Sequence, residues 1–315
     1  MPVAPPLISL HQVSKRFDNG LQALQQVSLT VAAGEFVALL GPSGCGKSTV
    51  LRLVAGLDGA SSGQVQAPAL QAGGAAGGAD TTAFVFQEPT LMPWATVFDN
   101  VWLPLRLQGR SRKASAPAVR AVLARVGLAE FEGAHPAQLS GGMKMRASIA
   151  RALVIRPRVL LMDEPFAALD DITRQALNAD LLQWWRPPST CPARQGQDDQ
   201  AAGDDRAAGA ARDDRMATLF VTHSVAEAVF LSQRVLVMAA RPGRVVAELL
   251  IDAPYPRETG FRHTPSFMAA CRQLNDALLL AHTPAAAPAA ASEPIPAAAA
   301  AVPSGHAAPA GASPR

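Results

Sequence analysis

The chain has 315 residues, about half of them apolar, with a mean hydropathy of only +0.13. A chain this long can bury a sizeable core, and no run of 18 or more consecutive apolar residues marks it as membrane-spanning. Its 28 basic and 25 acidic residues leave a net charge of +3, too little to point to nucleic acid. The first residues, MPVAPPLISLHQVSKRF, lack the basic stretch and long apolar run of a secretory leader. Cys45, Cys191 and Cys271 have neither metal-ligand spacing nor an even-numbered framework, which fits a reducing compartment.

In chain order, Phe36–Leu40 (FVALL) reads as a buried strand. Lys47–Leu57 follows as a helix with Val50, Leu51, Val54 and Leu57 on one face. Residues 71–80 are a Gly/Ala-rich loop. Phe84–Phe86 reads as a strand, then come helices over Val97–Leu107 (with Pro104 inside), Pro117–Val126 and Gly141–Ile155. Val159–Met162 is a buried strand, Asp171–Trp185 a helix, Leu219–Thr222 a strand, Val225–Leu231 a helix and Val235–Met238 a strand. Strands alternating with helices predict an α/β protein with a mostly parallel sheet covered on both faces. Residues 187–215, rich in Asp, Arg, Pro and Ala, bury too little to offset their ordering entropy and read as a disordered insertion. The Pro/Ala tail at 283–315 reads the same way.

Two motifs carry chemistry. GPSGCGKST runs from Gly41 through Pro42, Ser43, Gly44, Cys45, Gly46, Lys47 and Ser48 to Thr49, between a predicted strand and a predicted helix. Its glycines let successive backbone N–H groups curl towards one anion, and the helix N-terminus adds partial positive charge. Lys47 can reach the β- and γ-phosphates, and the Ser48 hydroxyl can ligate Mg²⁺. VLLMDEP (159–165) runs a buried strand into two carboxylates. Asp163 is placed for the Mg²⁺ shell, and Glu164 for polarising an attacking water.

A third motif, LSGGM (139–143), stands 15 residues before VLLMDEP. With these three motifs in order, residues 7–255 resemble the nucleotide-binding domain of ABC transporters. The resemblance implies a P-loop NTPase of ABC type: a mostly parallel sheet core with an antiparallel β subdomain and an inserted α-helical subdomain at about 88–157. It makes GPSGCGKST the Walker A loop, VLLMDEP the Walker B strand and Glu164 the catalytic glutamate. Ser140, Gly141 and Gly142 resemble the signature that contacts the γ-phosphate bound to the opposite subunit. Gln87, in FVFQEP, resembles the Q-loop glutamine that senses Mg²⁺ and the γ-phosphate; Asp170, in AALD, resembles the D-loop aspartate. His223, in FVTHS, matches the switch histidine, and Phe17 stands where the family stacks an aromatic ring on adenine. Met145 departs from the glutamine many relatives carry, whereas Arg146 is kept.

The implied cofactors are ATP and Mg²⁺. The implied partners are a second copy packed head-to-tail, transmembrane permease subunits and, through them, an extracytoplasmic solute-binding protein, with no nucleic acid. The implied location is peripheral, on the cytoplasmic face of the inner membrane. VFQEPTLMPWATVFDNV (85–101) and ARPGRV followed by APYPRE and PSFMAACRQL resemble the ATPases of nitrate, sulfonate and taurine importers, and related importers of pyrimidine-type vitamin precursors share much of this pattern. Residues 256–282 are expected to form a C-terminal helical extension. Two other classes share the catalytic motifs: soluble ABC ATPases of repair or translation, and export or lipid-transport ATPases.

Overall fold

The computed structural model describes residues 6–71, 82–185, 215–255 and 257–282. The expected insertion at 187–215 therefore lies outside the described residues save for Arg215, as do the tail at 283–315 and most of the 71–80 loop.

The chain opens on β1 (Ile8–Arg16) and β2 (Gln22–Val31), which pair antiparallel, and β4 (Ser62–Gln66) joins the other edge of β1. Ile8, Leu10 and Val13 of β1 and Leu24, Val27, Leu29 and Val31 of β2 all point inward and are buried. Neither strand alternates cleanly, because register shifts interrupt the β1–β2 pairing and Gln12 and Gln26 both sit at φ +48°. Those irregularities hide both strands from a period-two reading of the sequence.

The larger sheet has the order β5-β6-β7-β3-β8-β9, built from β3 (Phe36–Leu40), β5 (Thr82–Val85), β6 (Val159–Asp163), β7 (Ala217–Thr222), β8 (Arg234–Ala239) and β9 (Arg244–Leu250). The first five are parallel and β9 closes the edge antiparallel to β8. Side chains alternate across the pleat, so the sheet feeds two cores. Phe36, Ala38 and Leu40 face a helical layer, while Val37 and Leu39 face the antiparallel sheet and α1 (Lys47–Val54). Both faces are covered, which is why FVALL, VLLM and LFVT read as unbroken apolar runs.

After the short helix α2 (Pro68–Gln71) and β5, the described chain stays helical until β6: α3 (Val97–Leu107), α4 (Arg112–Arg125) and α5 (Gly141–Leu153), with 3₁₀ turns at Ala129–Phe131 and Pro136–Gln138. α6 (Asp171–Trp185), α7 (Val225–Leu231) and α8 (Pro265–His282) complete the fold. Most expected strands and helices move at one end or both, and three of the shifts have a visible cause. α1 stops at Val54 because Gly56, at φ +70°, reverses the chain and lets the Leu57 N–H bond the Arg52 carbonyl at 2.9 Å; Leu57 is exposed rather than buried. α4 begins at Arg112, five residues before Pro117, because Ser111 caps it by accepting from Ala114 N–H at 3.3 Å. β5 ends at Val85, and the Phe86 ring turns out of the sheet to stack on Phe84 at 4.3 Å. Among the described residues, no helix is long and apolar enough to cross a membrane.

Candidate functional site

All the parallel strands end at one edge of the sheet, and the phosphate loop, Gln87, the Asp163–Glu164 pair and His223 sit where the chain leaves it. Leu40 of β3 is level with Thr222 of β7, and Asp163 of β6 is level with Val221. That register sets the loop at 41–46, the Asp163–Glu164 pair and His223 side by side.

The loop between β3 and α1 takes its shape from glycine. Gly46 adopts φ +94°, and a Cβ there would lie 2.5 Å from the Leu24 side chain. Below the loop, Cys45 is buried, and burial pushes its thiol pKa up, so it behaves as a packing residue. Lys47 is only 4% exposed. Its ammonium donates to the carbonyls of Gly41 (2.9 Å) and Pro42 (3.0 Å) and lies 3.3 Å from Glu164 Oε1. The Ser48 hydroxyl donates to Asp163 Oδ1 at 3.0 Å. Desolvation raises the Asp163 carboxyl above its ordinary value, and the Ser48 hydrogen bond opposes this. Glu164 sits at φ +45°, anchored by its N–H to the Val221 carbonyl at 3.0 Å. Its second oxygen, Oε2, lies 2.8 Å from His223 Nδ1. One carboxylate thus bridges a buried lysine and a half-exposed imidazole, and a hydroxyl–carboxylate pair stands beside it.

The other expected residues divide into two groups. Gln87 belongs to the same sheet edge: Val85 pairs with Met162, so the exposed Gln87 leaves β5 beside the Asp163–Glu164 turn. The structure does not bring Ser140, Gly141 or Gly142 into this cluster. Ser140 caps α5 by accepting from Met143 N–H at 3.3 Å. A Cβ on Gly141 would meet Leu169 at 3.4 Å, and one on Gly142 would meet Thr173 at 2.9 Å, so this turn packs on the start of α6. Asp170 is exposed and its Oδ1 accepts from Thr173 N–H at 2.9 Å. Phe17 follows β1, and the Lys15 ammonium lies 5.2 Å from its ring centroid.

Four structural supports escape the motif reading. Gly243 lies behind the phosphate loop: its N–H bonds the Ala23 carbonyl at 3.0 Å, and an added Cβ would run into the backbone carbonyls of Cys45 and Ala23. Arg151, from the last turn of α5, donates to the carbonyls of Pro89 (3.0 Å) and Thr90 (2.8 Å) and so fixes the chain just past Gln87. Buried Asn100 donates to the carbonyls of Met92, Ala95 and Thr96 and accepts from Met92 N–H, which shapes the MPWAT turn. Glu227, 6% exposed, accepts from Thr222 Oγ1 at 2.5 Å, next to the switch position. Two of them leave a trace in the sequence, Asn100 as an amide in the apolar helix VFDNVW and Gly243 inside the run ARPGRV, but neither pattern reveals the contact it makes.

Comparison with known proteins identifies the family. A family model described as ABC transporter matches residues 24–167. An aliphatic sulfonates import ATP-binding protein, SsuB 2, from Burkholderia cenocepacia is 39% identical, covering 90% of this chain and 92% of that protein. A nitrate import ATP-binding protein, NrtD, from Synechocystis is 41% identical over 78% of this chain and 81% of its own length. Among solved structures, an ATP-binding cassette described as dimeric, in a post-hydrolysis state with ADP and Pi, superposes with a TM-score of 0.58 at 27% identity, over 78% of this chain and 100% of that one.

Proposed function

We propose that this protein energises a membrane importer of a small solute, proceeding from its family: the chain belongs to the ABC transporter ATP-binding proteins and is an ATPase. In this reading residues 7–255 form the ATPase domain, with a helical arm at about 88–157. The single observation that carries the catalytic part is the bridging of Glu164 between Lys47 (3.3 Å) and His223 (2.8 Å), beside Ser48 and Asp163.

The roles follow from that geometry. Backbone N–H groups of the 41–49 loop and the α1 N-terminus receive the phosphates of ATP. Lys47 faces Glu164; a γ-phosphate in the loop competes for the same ammonium and frees the carboxylate to take a proton from water. His223 holds the other carboxylate oxygen and orients it. Ser48 and Asp163, with Gln87 nearby, offer hard oxygen donors, and one carboxylate plus a hydroxyl would suit Mg²⁺. When bound, Mg²⁺ supplies charge neutralisation at the β- and γ-phosphates. Phe17 offers an aromatic face for the adenine ring.

Ser140, Gly141 and Gly142 pack on α6 outside this cluster and serve the ATP of a second copy in a head-to-tail dimer. The turn at 88–96, held by Arg151 and Asn100 and bearing Trp94 at 77% exposure, is the surface offered to a permease. The protein then sits peripherally on the cytoplasmic face of the membrane, and a solute-binding protein acts across it. The relatives named for sulfonate and nitrate import support a small oxyanion, sulfonate, taurine or nitrate in type, as the cargo. The test is to hold a tagged Glu164→Gln variant in ATP and Mg²⁺ and extract it from membranes in mild detergent. Co-purification of a polytopic permease is the expected result. Recovery only as a free dimer, or with ribosomes or DNA, overturns the importer reading.

A further inference from the structure

The switch histidine is carried by a very short element. His223 leaves β7, Ser224 caps α7 by accepting from Glu227 N–H at 3.4 Å, and α7 lasts only seven residues, Val225–Leu231. A helix of that length does not hold itself in place. Its first turn is tied to β7 through Glu227 and Thr222. Its last turn is held from the segment that follows β9.

Three consecutive carbonyls at the end of α7 are taken by two side chains of that segment. The Tyr255 hydroxyl donates to the Leu231 carbonyl at 2.8 Å. Arg257 Nη1 donates to the carbonyls of Phe230 (3.2 Å) and Ser232 (2.5 Å), and its Nη2 to that of Ile251 (3.3 Å). Arg262 adds a guanidinium 4.0 Å from the Phe230 ring centroid. Arg257 is 6% exposed, and none of the acceptors on its guanidinium is a carboxylate. Burial pushes its pKa down to about 10, which still leaves it charged at neutral pH. Burying a cation against carbonyls alone is costly. What compensates here is the negative end of α7 together with the rings of Tyr255 and Phe261, each centred 5.2 Å from the guanidinium carbon. A plain surface extension has no need of a buried arginine fork. The same planar fork reaches both the end of α7 and Ile251 at the close of β9, so it ties the helix to the sheet edge.

We propose that Arg257, with Tyr255, is a positioning residue for hydrolysis: it grips the C-terminal end of α7 and thereby holds His223 against Glu164. The segment after β9 is then part of the hydrolytic machinery. It acts through α7, without touching nucleotide. The inference rests on the reading of His223 as the switch residue.

The test uses the full chain and the variants Arg257→Lys and Tyr255→Phe. Lysine keeps the charge but cannot make the fork. Four quantities are read: kcat, KM for ATP, the thermal midpoint, and the imidazole NMR resonances of His223, assigned with His223→Ala. For Arg257→Lys the expectation is a kcat lowered about ten-fold, since small misplacements of a catalytic group are costly. KM should stay within about two-fold, and the His223 resonances should move. Tyr255→Phe should show the same pattern more weakly. A folded Arg257→Lys protein with wild-type kcat and unmoved His223 resonances overturns the inference. So does a variant whose kcat falls only in step with its folded fraction, with unmoved resonances in what remains folded. If Arg257→Lys does not fold, Tyr255→Phe decides by the same two readouts. His223→Ala separates the two claims. If that variant hydrolyses ATP at the wild-type rate, the switch reading itself fails. If it is inactive while Arg257→Lys is normal, only the inference made here fails.

Discussion

The phosphate loop and the signature turn are built to opposite plans. Around the loop the chain supplies every partner itself: Lys47 is held by two carbonyls and by Glu164, Ser48 by Asp163, and Glu164 by His223. At the signature turn Ser140 does no more than cap its own helix, and Ile172 stands 84% exposed beside it. The difference fits the proposed roles: one polypeptide would carry one and a half catalytic surfaces, a finished cradle and a lid whose target lies on a second copy. A second copy resolves this, because the lid of each can close on the cradle of the other.

The largest effect is expected on the finished side. Glu164→Gln removes the base while leaving the packing nearly unchanged, so turnover should fall by about 10²- to 10⁴-fold. ATP should stay bound, and light scattering should find a dimer in ATP and Mg²⁺. Turnover at the wild-type rate would end the assignment of Glu164. Lys47→Ala should reduce ATP affinity itself, measured by calorimetry, and unchanged affinity would count against the phosphate-loop reading. Ser140→Arg should leave ATP affinity intact yet stop hydrolysis. Mixing these two inactive proteins then tests the comparison directly. A mixed dimer contains one site with an intact Lys47 facing an intact Ser140, so part of the activity should return. No recovery on mixing would break the head-to-tail arrangement.

A smaller effect is expected behind the loop. Gly243→Ala pushes a methyl group into the backbone carbonyls of Cys45 and Ala23. It should cost about 1–3 kcal/mol of stability and weaken ATP binding, readable from urea unfolding and calorimetry. A variant as stable as the parent would mean that the loop yields more easily than its packing implies. The smallest effect concerns Glu227. Desolvation raises its carboxyl above the usual range, against the Thr222 hydrogen bond and the charges of Arg174 and His223; Arg262 also feels it. Between the ordinary glutamate value and the raised one, the folded state holds more protons than the unfolded state. Stability from this group is therefore full below that window and lost as pH rises through it. Glu227→Gln should flatten that loss in unfolding curves taken across the window, and an unchanged pH profile would show that Glu227 does not titrate there.

The loop, the acidic strand end and the switch strand could all be read from sequence because each is a contiguous run that carries its own residue pattern, whatever it later meets in space. The apolar runs feeding them are unbroken because the sheet is covered on both faces. β1 and β2 left no such mark: bulges at Gln12 and Gln26 break their alternation, so an antiparallel subdomain was expected only from the family resemblance. β9 is an edge strand with no fully buried residue, which deprives it of an apolar pattern. Pro117 drew the start of α4 too late, since proline favours a first turn, while the Ser111 cap decides where the helix begins. Gly243 and Arg257 fall inside the quoted runs ARPGRV and APYPRE, yet their supporting roles, like that of Arg151, were hidden for another reason. Each acts on backbone atoms far away in the chain, and a carbonyl looks the same whatever residue bears it.

The strand order has a consequence for how the protein comes into being. β3, which delivers the phosphate loop, is flanked on one side by β7 and on the other by β8. Both flanking strands lie beyond residue 216, and the glycine behind the loop lies at 243. On a ribosome, the whole of GPSGCGKST is therefore made long before the strands that flank β3 exist. The nucleotide pocket is among the last features to form, so an unfinished chain has the motif without the site and cannot capture ATP before its coupling surfaces are made.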